Sequence, residues 1–114
     1  MSNDFWYALD ELVRTSRLVI DRPAGSAHPR YPDFTYPLDY GYLAGTTAAD
    51  GDGIDVWLGS LPERCVTGAI CTVDLHKHDA ELKLLLGCTP DEARIALATH
   101  QSGGQAAILL WRAG

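Results

Sequence analysis

Four prolines, at positions 23, 29, 32 and 37, fall in one short stretch of this chain and exclude a helix from it, because each ring removes a backbone donor and clashes with the preceding helical turn. Everything regular must therefore form on either side of that stretch. Ahead of it, Phe5, Leu9, Leu12 and Val13 recur at helical spacing over residues 4–14, which predicts a short amphipathic helix with Ser2 or Asn3 as its N-cap. Leu18-Val19-Ile20 is a β-branched apolar run ended by Arg22-Pro23 and reads as a strand. Beyond the prolines, residues 40–44, 54–58, 66–75 and 82–88 have strand character and are separated by Gly, Asp or His-Asp turns. Thr89-Pro90-Asp91-Glu92 is a helix start: Thr89 can cap, Pro90 suits the first helical position and Glu92 completes a capping box. That helix should run to about His100, Gly103-Gly104 breaks it, and 106–111 is a final strand. The expectation is a mainly β, α+β domain, a small barrel or curled sheet with flanking helices.

A chain of 114 residues fits one domain, 1–114, with no internal repeat. The formal charge of −6, with only Lys77 and Lys83 beside seven arginines, repels a nucleic-acid backbone. No segment approaches the roughly 20 apolar residues that cross a bilayer, so no membrane role is expected. The start Met-Ser-Asn-Asp has no basic flank and no apolar signal core, which predicts a cytoplasmic location. Cys65, Cys71 and Cys88 are an odd number without a CxxC pair and read as free thiols.

Chemistry concentrates between Tyr36 and Asp55. Asp50-Gly-Asp52-Gly-Ile-Asp55 confines three carboxylates to six residues, with glycines at 51 and 53 that allow a tight turn. Carboxylate oxygens suit a hard cation such as Mg²⁺, which usually takes few carboxylates and shares its shell with substrate phosphates. A solvated Asp/Gly turn between strands explains the same string. A calcium loop fits poorly, because the chain enters the apolar run Ile54-Asp55-Val56-Trp57-Leu58 where further ligands would be needed. Asp55 inside that run favours a metal, since a carboxylate among apolar neighbours is costly unless something cationic meets it.

With Tyr36-Pro37-Leu38-Asp39-Tyr40-Gly41-Tyr42 ahead of the aspartates, residues 17 to 88 resemble the soluble inorganic pyrophosphatases of family I, which carry a Tyr-Pro-x-Asn-Tyr-Gly-Tyr segment and an Asp-Gly-Asp-Pro-x-Asp-like cluster at this separation. The resemblance implies a small OB-like five-stranded barrel and Mg²⁺-dependent hydrolysis of a diphosphate substrate. It implies Asp50 and Asp55 as metal ligands, Asp52 as the base that deprotonates the attacking water, and Tyr40 as a phosphate contact. Glu81-x-Lys83 is similar to the family's Asp-x-Lys pair, a metal ligand followed by a phosphate-binding lysine; period 2 puts both on one strand face. An exposed cross-strand charge pair is, by sequence alone, the commoner outcome for two such residues. Arg17 and Arg30 stand nearest to the family's other phosphate-binding cations. Bacterial members often form hexamers, so the resemblance also implies a homo-oligomer, although no motif fixes one.

Several family positions differ here. The first-strand glutamate is Val19, the motif asparagine is Asp39, and the Tyr-Lys pair of the C-terminal helix falls near Gln101-Ser102. Each lost charged hydrogen bond to phosphate is worth about 1.5 to 3 kcal/mol, so two alternatives stand beside the diphosphatase: a weak or inactive metal- and phosphate-binding domain, and a hydrolase of another phosphoanhydride. His76-Lys77-His78-Asp79 reads as a turn with solvated histidines, or as a transition-metal site if His76 and His78 share a strand face.

Overall fold

Helix α1 (Phe5–Arg14) starts where a side chain can satisfy its first amides: the Asp4 carboxylate accepts the Tyr7 amide at 2.8 Å. In this computed structural model, which describes residues 4–49 and 51–113, the cap is thus Asp4, and the expected caps Ser2 and Asn3 lie outside the described residues. Helix α2 (Pro90–Thr99) begins as its sequence predicts. The Thr89 hydroxyl accepts the Glu92 amide at 3.2 Å, and Glu92 Oε1 accepts the Thr89 amide at 2.9 Å. Glu92 also accepts the Ser60 amide, which ties the helix start to the loop after the third strand.

Strands β1 (Arg17–Arg22), β2 (Asp39–Ala44) and β3 (Ile54–Leu58) form an antiparallel meander. Strands β4 (Val66–Asp74) and β5 (Asp79–Leu86) form a hairpin, and β6 (Gln105–Trp111) pairs antiparallel with β4. The spatial order is β1-β2-β3-β5-β4-β6, with β3 and β5 parallel. The five-stranded closed barrel implied by the resemblance is here a six-stranded sheet, and among the described residues no ladder joins β1 to β6. The added strand β6 extends the sheet beyond β4, so its two end strands are β1 and β6, the two that do not pair.

Gly41 explains why a glycine stands between Tyr40 and Tyr42. A Cβ at that position would lie 1.8 Å from the Val19 carbonyl oxygen, so β1 can lie flush on β2 only where the side chain is missing. The hairpin turn follows its sequence as well: Asp74 Oδ1 accepts the amides of His76 and Lys77 at 2.9 and 3.0 Å, and His78 takes a positive φ of 57°. His76 and His78 are therefore turn residues, not neighbours on a strand face.

The sheet buries apolar side chains on both faces. Leu43, Val56, Leu84 and Leu86, all fully buried, pack with Leu9 of α1 on one face, each contributing roughly 1.5 to 3 kcal/mol on the transfer scale. Tyr36, Trp57, Ile70 and Leu85 meet Ala93 and Ala96 of α2 on the other. The three cysteines are free thiols, with Cys88 buried and its thiol pushed up to about 12 by that burial. No helix among the described residues is long and apolar enough to cross a membrane.

Candidate functional site: a lysine held between two carboxylates

The register of the three central strands decides which polar side chains meet. Tyr40 is opposite Trp57, Tyr42 is opposite Asp55, and the parallel pairing of Val56 with Leu84 sets Asp55 beside Lys83. Alternation along each strand then brings Tyr40, Asp55, Trp57, Glu81 and Lys83 to the α2 face of the sheet. At their centre the Lys83 ammonium donates to Asp55 Oδ2 at 2.8 Å, to the Tyr40 hydroxyl at 2.9 Å and to Glu81 Oε2 at 3.0 Å. All three of its protons are used.

Only 8% of the Lys83 side chain is exposed, against 11% for Glu81 and 30% for Asp55. Burial alone disfavours the ammonium, but the facing Tyr40 oxygen and Asp55 carboxylate outweigh it and hold the lysine pKa above its ordinary value. Lys83 is therefore a fixed positive charge at any physiological pH. Burial pushes the Tyr40 phenol upward, and the adjacent ammonium only partly opposes that, so Tyr40 keeps its proton. Its hydroxyl accepts from Lys83 and lies within reach of Asp55.

One layer below, Trp57 is 1% exposed and its indole Nε1–H donates to His100 Nε2 at 3.1 Å. Because that nitrogen accepts, the proton of the neutral imidazole sits on Nδ1, which faces Gln105 Oε1 at 3.1 Å. Burial, and then the Lys83 charge, depress the His100 pKa to about 4. Trp57 therefore connects a cation above it to a ring below that stays neutral near pH 7.

These groups line a cleft of roughly 420 Å³ between the sheet, the 28–36 loop and the segment after α2. One wall is aromatic. Tyr40 packs edge-on against Trp57 at 4.5 Å, Tyr36 stacks on Tyr40 at 5.5 Å, His28 stacks on Tyr36 at 6.0 Å and Tyr31 tilts over His28 at 5.0 Å. Burial lowers the His28 pKa, and nearby Arg22, Arg30 and Lys77 lower it further. Of these three, Lys77 lines the cleft.

The fold brings together four of the residues singled out in the sequence, Tyr40, Asp55, Glu81 and Lys83. Asp52 lies in the exposed turn before β3, where its carbonyl accepts the Ala48 amide at 2.6 Å and Gly51 takes a positive φ of 89°. Asp50 lies outside the described residues. Arg17 is exposed and pairs with Ala44, at the end of β1 away from the rung of Tyr40. Arg30 is exposed in the proline-rich loop, its amide donating to His28 Nδ1 at 3.0 Å. Sequence reasoning passed over Arg22, which an irregularity after Ile20 sets opposite Tyr40. It also passed over Trp57 and His100, whose pairing spans strand and helix end and leaves no local signal.

No protein-family model matches this chain, and no characterised protein matches it by sequence. Among solved structures the fold has a neighbour. It is similar to an inorganic pyrophosphatase from Coxiella burnetii, with a TM-score of 0.55 over 83% of each chain. Only 15% of the aligned residues are identical, so the likeness is one of fold. The chain has a pyrophosphatase-like fold, and its cluster over Lys83 is described by its own geometry.

Proposed function

We propose that this chain hydrolyses inorganic diphosphate in the cleft above Lys83, with Mg²⁺ as its cofactor. The observation that carries the reading is the convergence of Tyr40, Asp55, Glu81 and Lys83 on one sheet face of a pyrophosphatase-like fold. Among the described residues no group of three or more His, Cys, Asp or Glu is arranged to hold a metal ion. Asp55 and Glu81 nevertheless supply two hard oxygen donors 2.8 and 3.0 Å from one cationic atom, and Mg²⁺ is commonly held by one or two carboxylates plus substrate phosphates. The donor set fits an ion that arrives with the substrate.

Asp55 and Glu81 would hold the metal, and Asp50 is assigned to it by its motif position alone. When bound, the metal supplies charge neutralisation on the leaving phosphate and a water acidified toward neutrality. Lys83 contributes a positive charge that needs no protonation step, and it can turn from a carboxylate to a phosphate oxygen by a small rotation of its end. Tyr40 stays protonated and donates to phosphate from a rigid ring packed on Trp57. Asp52 is assigned the water proton, and Arg17 and Arg30 the outer phosphate contacts, by their motif positions.

A phosphate-release assay with diphosphate and Mg²⁺ tests the reading. Turnover should appear only with the metal, fall by two orders of magnitude or more in Asp55→Asn and Asp52→Asn, and be accompanied by a Mg²⁺-dependent rise in melting temperature that Asp55→Asn removes. A purified, folded protein with no turnover and no Mg²⁺-dependent stabilisation would end it.

A further inference from the structure

Tyr31 has no role in the core: it is 61% exposed and stands outside both buried clusters. It is nonetheless held in place. Its ring lies 5.0 Å from His28, and its amide, with that of Arg30, donates to His28 Nδ1 at 3.2 and 3.0 Å. Both amides fix the His28 ring, which in turn stacks on Tyr36. A run of aromatic rings, each in contact with the next, therefore leads from half-buried Tyr40 through Tyr36 and His28 to Tyr31, the exposed end at the cleft mouth.

Inorganic diphosphate does not need such a wall. It displaces roughly the volume of four or five waters at about 30 Å³ each, about a third of the 420 Å³ available. Tyr31, the exposed ring at the cleft mouth, offers a flat apolar face, and the Lys83 ammonium deeper in the cleft calls for an anionic end. Lys83 is 5.6 Å from the centre of the Tyr40 ring, so the cationic end and the aromatic wall are contiguous.

We propose that the cleft takes a nucleotide, a nucleoside diphosphate whose phosphates lie toward Lys83 and whose base stacks on the exposed Tyr31 ring beside His28. The proposal rests on the metal-dependent phosphoanhydride chemistry read above and replaces inorganic diphosphate with a nucleotide as the preferred ligand.

Calorimetric titration of the folded protein with adenosine diphosphate and, separately, with inorganic diphosphate, both with Mg²⁺, tests it. One base stacked on an aromatic side chain corresponds to roughly 5- to 150-fold in affinity, so adenosine diphosphate should bind at least tenfold tighter than diphosphate. In Tyr31→Ala the ratio of the two dissociation constants should fall toward one, and Tyr31→Phe should restore it. Equal affinities in the wild type, absence of nucleotide binding, or a ratio that Tyr31→Ala leaves unchanged would each overturn the proposal. Hydrolysis of diphosphate without nucleotide preference sinks this inference and leaves the diphosphatase; nucleotide preference without diphosphate hydrolysis does the reverse.

Discussion

The buried imidazole of His100 gives the fold an acid sensitivity whose size follows from its surroundings. Its ring is 7% exposed, accepts from Trp57, faces the Gln105 amide oxygen and stands near the Lys83 charge. A second proton would break the Trp57 bond and place two cations in one dry layer. As pH falls through 6.5 the unfolded chain takes up that proton, whereas the folded chain takes it up only near 4. Between those values the unfolded state binds more protons, so stability falls as pH falls and is insensitive to this group above about pH 7. At about 1.4 kcal/mol per unit, the full effect is about 3 kcal/mol, of which about 2 kcal/mol is already felt at pH 5. That is a large share of a typical 5 to 15 kcal/mol.

Urea unfolding followed by tryptophan fluorescence at pH 7.5 and pH 5.0 measures it, with His100→Gln as the control, since a glutamine oxygen can still accept the Trp57 proton. The wild type should lose about 2 kcal/mol more than the variant between the two pH values, a difference of about 1 to 2 M in urea midpoint for a slope near the low end of the usual range. His28, His76 and His78 are shared by both proteins and cancel in the comparison. If the two lose stability in parallel to within about 0.5 kcal/mol, then His100 accepts its second proton inside the intact fold, and the assignment of Nε2 as a fixed acceptor is wrong.

Two further substitutions probe the sheet and the cluster. Lys83→Met leaves Asp55 and Glu81 facing each other without their shared cation; loss of one partner from a buried ion pair costs about 3 to 5 kcal/mol, reduced to about 2 to 3 here because Asp55 is 30% exposed. Denaturant titration checks it, and a variant as stable as wild type would show the cluster to be electrostatically neutral to the fold. Gly41→Ala drives a methyl group to 1.8 Å from the Val19 carbonyl and should cost more than about 2 kcal/mol by prying β1 from β2. Hydrogen exchange should localise that loss to β1 and β2, and protection unchanged there would count against the close-approach argument.

How much of this could be read from the chain depends on how far apart the interacting residues are. The α2 capping box joins residues three apart, and Thr89 and Glu92 meet as their spacing predicts. The Asp74 turn is equally local. Glu81 and Lys83 share a face by period alone, but their meeting with Tyr40 and Asp55 needs the register of β2 on β3 and the parallel pairing of β3 with β5. Neither is encoded within one segment. The Arg22 position is set by an irregularity between Ile20 and Arg22, which shifts the register by one residue and aligns Arg22 with Tyr40. His100 enters the sequence only as the expected end of a helix, and only the packing of that end over Trp57 gives it a partner. The six-stranded open sheet has the same origin, since the apolar run 106–111 announces a strand without saying which edge it will take.

The placement of Lys83 also bears on how metal and substrate would enter under the proposed function. In the protein alone, the ammonium donates to both carboxylates and offsets one of their two charges, so an ion approaching Asp55 and Glu81 must loosen bonds of 2.8 and 3.0 Å. Loosening them strands a buried cation, which is costly unless another acceptor is at hand. A phosphate oxygen is such an acceptor. The anion and the metal therefore each remove the cost that the other would meet alone, and by linkage each must raise the other's affinity by the same factor. A single lysine buried among Tyr40, Asp55 and Glu81 thus makes the cleft stable in the free protein and biases it toward taking cation and anion together, which is the behaviour that a metal-dependent phosphoanhydride hydrolase requires.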